Sequence, residues 1–476
     1  MKKINNIIRK NCNLENILCL FLLLCPILDI VSFLYRKNFN TNFSPSTIMR
    51  PIIPMIIITF LFFTKNKKFK LYTFLAFIIY AIYGIIHLYL FTKVKNGSSY
   101  STVFHEAQYI INYSFMILNL FIYTYVFRNN KSDKLKKTVL FSTCIYIISI
   151  FISIITKTSS HTYIVEKLGY KGWFESGNSI GAILILSMFV YITYVRDAKY
   201  KKIAIPLVIL VGIFLTTLIG TRVGLFGFIL VLGLYIMVEV IYGIVHNKKV
   251  NKKIIAYGSI GIIGIIVTVV IFGSNTFERR KQLQEVSSEI VDTSLNKSSH
   301  ITGDLLQIKN NIDNNNLEDN YMNNAQKQSI IDLYNVANKL NIRNSERRIQ
   351  ELIYNIALVK NQKDVNLLMF GNGYVANFRE LILEMEIPAF LFNFGILGFI
   401  LYFIPFVTIC IYGIYIGIKN IRKINTEYIM LVLGCGATFG LSFFSGYTFF
   451  NSSSMMIIIA INTILISKIN KLKEEK

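Results

Sequence analysis

The residues best suited to chemistry in this sequence are arginines and carboxylates beside long apolar segments. Arg222 stands in LIGTRVGL, a connection of only a few residues between two such segments. We expect its charge to be buried there, and a charge buried at membrane depth requires an anionic partner. A guanidinium binds phosphate oxygens in a bidentate manner and stays charged beside an apolar wall. Arg222 is therefore the first candidate ligand for a phosphate-bearing headgroup.

Four further arginines are candidate phosphate ligands. Arg347 and Arg348 stand at the start of a predicted helix, where unpaired backbone N–H groups add to the positive field. Adjacent helical positions point about 100° apart, so one of the two is expected to face a bound anion. Arg279 and Arg280 follow the ninth apolar segment, where they either form a second clamp or mark the membrane surface. A single arginine such as Arg36 is expected to pair with an acidic loop residue or with phospholipid.

Two acidic residues are candidate proton acceptors. Glu384 and Glu386 precede the tenth apolar segment in LEMEIPAF, where a carboxylate could take a proton from a substrate hydroxyl. Two positions apart on a helix, their side chains diverge. We therefore expect at most one to act as a base, while the other pairs with an arginine or faces water. Glu175 and Asn178, in GWFESGNSIG, either contact the substrate or cap the following helix.

Metal and cofactor sites are not indicated. The five histidines lack metal-ligand spacing, and no Asp-x-Asp pair occurs. The six cysteines lie in or beside apolar segments without a CxxC pair, which argues against a disulfide framework. The GNG sequence is too short for a dinucleotide-binding loop. Asp29, Glu106 and His105 lie in or near apolar segments, and we expect them to have structural partners.

The composition is that of a membrane protein. Of the 476 residues, 53% are hydrophobic and only 16% are charged, and the mean hydropathy is +0.50. The net charge of +24 is distributed in short clusters between apolar runs, whereas a nucleic-acid-binding protein concentrates its basic residues on one soluble face. The clusters therefore indicate membrane topology, and no nucleic acid is expected as a partner.

The apolar runs predict an all-α polytopic membrane protein of about 12 transmembrane helices, since a bilayer span needs roughly 20 apolar residues. We interpret the run after the basic N-terminus as a retained first span, because Pro26 and Asp29 replace a signal-peptide cleavage site. The predicted spans are 17–34, 48–63, 71–91, 109–127, 139–155, 180–194, 203–219, 223–245, 254–272, 390–418, 428–444 and 455–467.

Charge bias orients the predicted spans. With the N-terminus inside, the inner segments hold 28 of the 50 Lys and Arg residues, so both termini are expected in the cytoplasm of a cell-membrane protein. Nine of the 13 arginines lie on the predicted outer side, which suggests an outer site for anionic lipid. The predicted divisions are 1–272 with spans one to nine, a large extracellular loop over 273–387, and 388–476 with the last three spans and the cytoplasmic tail.

The large loop is predicted to contain two amphipathic helices. Ile330, Leu333 and Ala337 repeat at helical spacing in the first. In the second, an apolar stripe includes Ile349 and Ile356. We expect both helices to lie across the outer ends of the spans.

Four separated segments carry a family resemblance: GWFESGNSIGAILILSMFVY, IGTRVGLFGFIL, ERRIQELIYNIALVK followed by LLMFGNGY, and LEMEIPAFLFNFGILGFILYF. With their order and the long loop before the last pair, the chain resembles the O-antigen ligase and polymerase superfamily, which includes the Wzy-type polysaccharide polymerases. The resemblance implies a glycosyltransferase. Because a lipid diphosphate leaves already charged and arginines can stabilise it, we expect the enzyme to be metal-independent, and we expect no cofactor. The substrate would be an undecaprenyl-diphosphate-linked oligosaccharide.

The resemblance also implies residue roles. Arg222 with Arg347 or Arg348 would hold the donor diphosphate, and an acid or histidine at the end of the loop would activate the acceptor sugar hydroxyl. The ligase branch has a histidine where this chain offers Glu384 and Glu386. The chain departs again at Tyr447 in SGYTFF, a position where histidine is common. These departures favour a polymerase of capsular or O-antigen-like repeat units.

Three alternatives remain open at this point. A ligase would transfer the glycan to another cell-surface acceptor. A transporter or flippase for the lipid-linked oligosaccharide would be expected to show inverted repeats and ionisable groups at the membrane midplane, and no clear repeat is visible. A non-catalytic scaffold would tolerate loss of the arginines and glutamates named above. Membrane lipids and other polysaccharide-assembly proteins are the further partners considered.

Overall fold

The structure is a computed structural model, and the regular secondary structure of its described residues is helical except for one β-hairpin. This confirms the predicted all-α fold class. The described residues are 13–39, 44–97, 101–128, 132–163, 167–196, 201–247, 252–272, 275–279, 281–282, 309–310, 312–314, 322–342, 346–376 and 383–474.

The elements follow one another along the chain with short connections. The first five helices are α1 (Leu14–Phe39), α2 (Pro45–Thr64), α3 (Lys67–Val94), α4 (Val103–Phe127) and α5 (Ser132–Ile155). Then come the antiparallel strands β1 (Ser160–Tyr163) and β2 (Leu168–Gly172), followed by α6 (Gly177–Arg196), α7 (Lys201–Ile219), α8 (Arg222–Val245) and α9 (Lys252–Phe272). The rest are α10 (Asn324–Lys339), α11 (Arg347–Gln362), α12 (Val365–Phe370), α13 (Glu386–Tyr402), α14 (Ile404–Lys419), α15 (Thr426–Phe444) and α16 (Ser452–Glu474).

The predicted spans coincide with helices. Among the described residues, nine helices are long and apolar enough to cross a membrane, and the pair α13 and α14, bent by 44°, makes a tenth. Two shorter apolar helices lie at Ile205–Ile219 and Ile255–Val270, within the predicted seventh and ninth spans. The chain is therefore a multi-pass membrane protein, and the count of twelve stays a prediction.

The helices form two compact units. The first comprises Met1–Leu61, Leu118–Arg279 and Phe406–Lys476, and the second comprises Phe62–Ile117 and Arg280–Pro405. These units follow contacts between elements rather than membrane boundaries. The division into 1–272, 273–387 and 388–476 is accordingly not tested by them and stays a prediction.

Helix α6 is the central element of the first unit. It packs against α5, α7, α8, α15 and α16, and residues 179–193 are all buried. Its glycines permit close approach: a Cβ at Gly181 would lie 3.2 Å from Thr221 Oγ1, and one at Gly227 on α8 would lie 2.3 Å from Ile185. The start of α8 is thereby fixed against the start of α6.

A break in α13 organises the second unit. Gly395 has a φ of 69° inside the helix, which breaks the backbone hydrogen-bond ladder there. The GNG turn after α12 lies against this break: Asn372 N donates to the Phe392 carbonyl at 3.1 Å, and Gly373 N donates to the Asn393 carbonyl at 2.9 Å. Carbonyls released by the kink therefore have backbone partners from the turn.

Glu106 and His87 hold the other side of this turn. Glu106 on α4 accepts the backbone N–H groups of Tyr374 and Val375, both at 2.9 Å. His87 on α3 contacts Glu106 Oε1 at 2.9 Å through Nε2, and its Nδ1 donates to the Phe370 carbonyl at 2.6 Å. The expectation of a structural partner for Glu106 is confirmed.

The two predicted loop helices correspond to α10 and α11. In α10, Ile330, Leu333 and Ala337 are buried as expected. The first two form a core with Tyr354 and Leu358 of α11. A capping box begins α10: Asn323 accepts from Gln326 N, and the Gln326 side chain accepts from Asn323 N.

The apolar stripe of α11 is not the face that this helix buries. Ile349 and Ile356 are exposed, whereas Gln350, Glu351 and Asn355 are buried. The buried polar groups include Glu351, which has partners on two segments, and this makes the polar face compatible with packing. The orientation of α11 thus differs from the one its apolar pattern suggests.

Candidate functional site

Arg222 is the first residue of α8, at a sharp turn in the first unit. Gly220 has a φ of 71°, and Thr221 caps α8 by accepting a hydrogen bond from Gly224 N at 3.1 Å. The Arg222 side chain is exposed and has neither a hydrogen bond nor an ion pair within the described residues. The expected burial of its charge was wrong, because the cap places this residue at the helix end rather than between packed helices.

The Arg222 turn is fixed by its neighbours. Thr162 of β1 donates from Oγ1 to the Ile219 carbonyl at 2.7 Å. Asn275 donates to the Leu218 carbonyl at 3.3 Å, and a Cβ on Gly220 would lie 2.5 Å from the Asn275 Cβ. A rigid turn presents the guanidinium at a defined place, which favours binding over random surface display.

The electrostatics of the turn favour an anion. The N-terminus of a helix carries a partial positive charge, which disfavours a cation unless a negative group is bound nearby. Arg222 adds a full positive charge there and has no acidic partner within the described residues. The two positive contributions together suit a phosphate-type group.

An apolar groove begins at the Arg222 turn. It lies between α5, α6, α7 and α8 and contains about 880 Å³ of space free of protein atoms, open solvent included. Its lining includes Ile219 and Gly224, on either side of Arg222 in the sequence, but not Arg222 itself. The lining continues along apolar side chains such as Leu184, Leu207 and Phe228. We call it the Arg222 groove. A cationic turn at the end of an apolar groove matches a lipid with an anionic headgroup.

The other candidates of the first unit are tied to protein partners. Glu175 forms an ion pair with Arg36, which confirms that Arg36 pairs with an acidic loop residue. Asn178 donates from Nδ2 to the Ser445 carbonyl at 3.2 Å. The Arg279 guanidinium lies over the Tyr163 ring, 3.7 Å from its centroid. Arg280 lies outside the described residues.

Asp29 has structural partners, as expected. It pairs with Arg50 at 2.5 Å and accepts hydrogen bonds from the Tyr146 hydroxyl, at 2.9 Å, and from Ser453. These groups come from α1, α2, α5 and α16. A carboxylate that is satisfied in this way is a structural element of the bundle rather than a free functional group.

Arg348 and Glu384 form an ion pair in the second unit. Arg348 donates to Glu384 Oε2 from Nε at 3.1 Å and from Nη2 at 3.0 Å. The Glu384 side chain is 33% exposed, and its Oε1 has no hydrogen bond to the described residues. The carboxylate is therefore anchored through one oxygen, and the other can contact a ligand.

Glu351 is a functional candidate that sequence reasoning missed. Its Oε1 accepts from Arg347 Nε at 2.9 Å, and its Oε2 accepts from the backbone N of Glu384 at 3.1 Å. The residue is fully buried, and this burial raises the pKa of Glu351 to about 7. The spacing of four residues from Arg347 was a usable signal, but the apolar stripe of α11 pointed to the opposite face as the buried one.

Glu386 is the first residue of α13 and has no exposed surface. Glu384 precedes the helix and is accessible. The structure thus brings Glu384 together with Arg347, Arg348 and Glu351. Of the two predicted acids, Glu384 is accessible and Glu386 is buried. Within the described residues, no group of three His, Cys, Asp or Glu side chains is arranged to hold a metal ion.

Comparison with known proteins was made against families, curated proteins and solved structures. The sequence model of the family described as O-antigen ligase like membrane protein matches residues 11–472. The chain belongs to this family. The comparisons with curated proteins and with solved structures gave no match.

Membership of the O-antigen ligase like family indicates a membrane glycosyltransferase-type enzyme acting in polysaccharide or O-antigen processing. The sequence predicted that Arg222 lies at a turn and that Arg347 and Arg348 begin a helix. The structure confirms both positions. In the structure, Arg347 binds Glu351 and Arg348 binds Glu384. Their phosphate-binding role stays a prediction.

Proposed function

We propose that this protein polymerises surface polysaccharide by transferring a glycan from an undecaprenyl-diphosphate-linked donor to an acceptor sugar hydroxyl at the outer membrane face. The observation that carries the proposal is Arg222, an exposed cation without an acidic partner among the described residues, in a turn whose residues Ile219 and Gly224 line an apolar groove. A lipid diphosphate has an apolar chain that suits the groove and an anionic headgroup that suits the cation.

The donor lipid is assigned to the first unit. Its prenyl chain lies in the Arg222 groove, and its diphosphate contacts the guanidinium and the N-terminus of α8. A lipid diphosphate leaves as an anion, so arginines that stabilise its charge lower the barrier and no divalent cation is needed. Arg279, in the same unit, is a further cation for this purpose.

The base that activates the acceptor hydroxyl is assigned to Glu384. Its Oε1 takes the proton of the acceptor hydroxyl, the acceptor oxygen bonds to the anomeric carbon of the donor sugar, and the bond from that carbon to the diphosphate oxygen breaks. Arg348 holds the other carboxylate oxygen and keeps the base in place. Glu386 is not assigned this step, because a base must reach its substrate and Glu386 is fully buried.

The polymerase is favoured over the ligase by the acids before α13, which stand where the ligase branch has a histidine. Deletion of the gene followed by analysis of lipid-linked intermediates separates the two. Single repeat units on the outer side of the membrane are expected when a polymerase is lost. Long lipid-linked chains would indicate a ligase, and single units confined to the inner side would indicate a transporter. Normal lipid pools would contradict all three functions.

A further inference from the structure

We propose that Glu351 is a positioning residue that holds the acceptor-side base, Glu384, and the cation Arg347 in one arrangement. The proposal rests on the role assigned to Glu384 in the proposed function. It adds a residue that does not contact the substrate itself and acts through Glu384 and Arg347.

The first support is the use of both carboxylate oxygens. Oε1 of Glu351 accepts from Arg347 Nε within α11, and Oε2 accepts from the Glu384 backbone N–H on the segment before α13. Each oxygen therefore binds a different element. A neutral amide at this position would offer one acceptor in place of two.

The second support is the double attachment of Glu384 to α11. Its backbone is held by Glu351, and its side chain is held by Arg348, three residues earlier on the same helix. Loss of the backbone contact leaves the carboxylate attached through a side chain that is itself 37% exposed. The position of the free Glu384 oxygen then depends on a flexible arginine.

The third support is the burial of the Glu351 carboxyl beneath exposed partners. Glu351 has no exposed surface, whereas the Arg347 and Glu384 side chains are 42% and 33% exposed. A buried carboxylate with two fixed donors holds the accessible groups in place. Residues that act in this way fix the orientation of the side chains that contact a ligand.

Protonation of Glu351 is expected to weaken its contact with Arg347. Two charged groups interact with the carboxyl: Arg347 on α11 and Glu384 on the segment before α13. A protonated carboxyl loses its attraction to the guanidinium and one acceptor. Because burial places the pKa of Glu351 at about 7, turnover is expected to decline as the pH falls through that value.

The test uses the full-length protein in membrane vesicles, supplied with lipid-linked single repeat units extracted from cells that lack it. E351Q is expected to lower kcat roughly tenfold with little change in KM and to abolish the inflection near pH 7. E351D keeps the charge but shortens the side chain, so an intermediate kcat is expected. The control is D313N, which removes an exposed loop acid paired with Lys309.

The proposal is overturned if E351Q keeps the wild-type kcat and pH profile while E384Q is inactive. That result would leave the proposed function intact. Full activity of E384Q would instead contradict the role of Glu384 itself. If E351Q does not accumulate in the membrane, E351D decides: a wild-type kcat together with an unchanged pH profile in that variant also overturns the proposal.

Discussion

His87 Nε2 and Glu106 Oε1 lie 2.9 Å apart in a pair that has no exposed surface. The Phe370 carbonyl can only accept, so His87 Nδ1 is the donor to it, and Nε2 is the ring nitrogen that contacts Glu106. Glu106 also accepts two backbone N–H groups of the turn after α12. One buried carboxylate thus connects α3, α4 and this turn, and the turn meets the break in α13.

Replacing Glu106 with Gln is expected to destabilise the protein by roughly 2–4 kcal/mol, because the amide presents an N–H group where the carboxylate accepted one. The measurement is the thermal stability of the detergent-solubilised chain. Glu278→Gln, at an exposed acid, is the matched control and should be neutral. Equal melting of the two variants would show that the pair does not hold the turn.

Replacing Gly371 with Ala is expected to destabilise the second unit by about 3 kcal/mol or more. The residue has a φ of 88°, and a Cβ there would lie 2.2 Å from the Asn393 backbone oxygen. Gly436→Ala in α15 is the control, because nothing lies within 4 Å of a Cβ at that position. A thermal melt compares the two, and a Gly371 variant as stable as the Gly436 variant would rule out the close backbone contact.

Arg222→Gln is expected to reduce turnover roughly tenfold to a hundredfold, which corresponds to the loss of one charge-assisted interaction. Arg222→Lys should retain part of the activity, because it keeps the charge but not the bidentate geometry. Polymer length in cells and turnover in vesicles are the measurements. Lys157→Gln serves as the exposed control. A scaffold protein would tolerate every one of these changes.

Obstruction of the Arg222 groove is expected to weaken binding of long-chain donors selectively. Leu207 lines the groove on α7, and Leu207→Trp should raise KM severalfold for a long prenyl diphosphate donor but not for a short-chain analogue. Leu210→Trp is the control, since Leu210 is exposed on the same helix outside the groove lining. The same KM change for both chain lengths would argue against a tail in this groove.

The raised pKa of Glu351 predicts a pH-dependent stability. The folded protein holds the Glu351 proton up to a pH of about 7, well above the ordinary value of 4.5 for Glu. The protonated carboxyl therefore favours folding at low pH, and this contribution is lost as the pH rises through about 7. E351Q is expected to lose less stability than the wild type between pH 5 and pH 8. Parallel stability curves for the two proteins would exclude the shift.

Sequence patterns alone correctly predicted the membrane class, the positions of the apolar helices and the two loop helices. These features depend on local hydrophobicity and periodicity, which are properties of consecutive residues. The turn at Arg222 was also visible, because glycine and threonine between apolar runs are typical of a helix boundary. Arg222 was correctly predicted to lie at this turn, but it was expected to be buried and is exposed.

The pairing of the polar groups, in contrast, follows from the tertiary structure. Glu106 binds backbone groups 268 and 269 residues further along the chain, and Glu351 binds Glu384 across 33 residues. Such pairs leave no periodic pattern, because each depends on how separate helices pack. The face of α11 illustrates the reason: the stripe with Ile349 and Ile356 predicted burial, but the packed side carries Tyr354 and Leu358 together with the polar Glu351. The site therefore depends on long-range contacts that local patterns cannot encode.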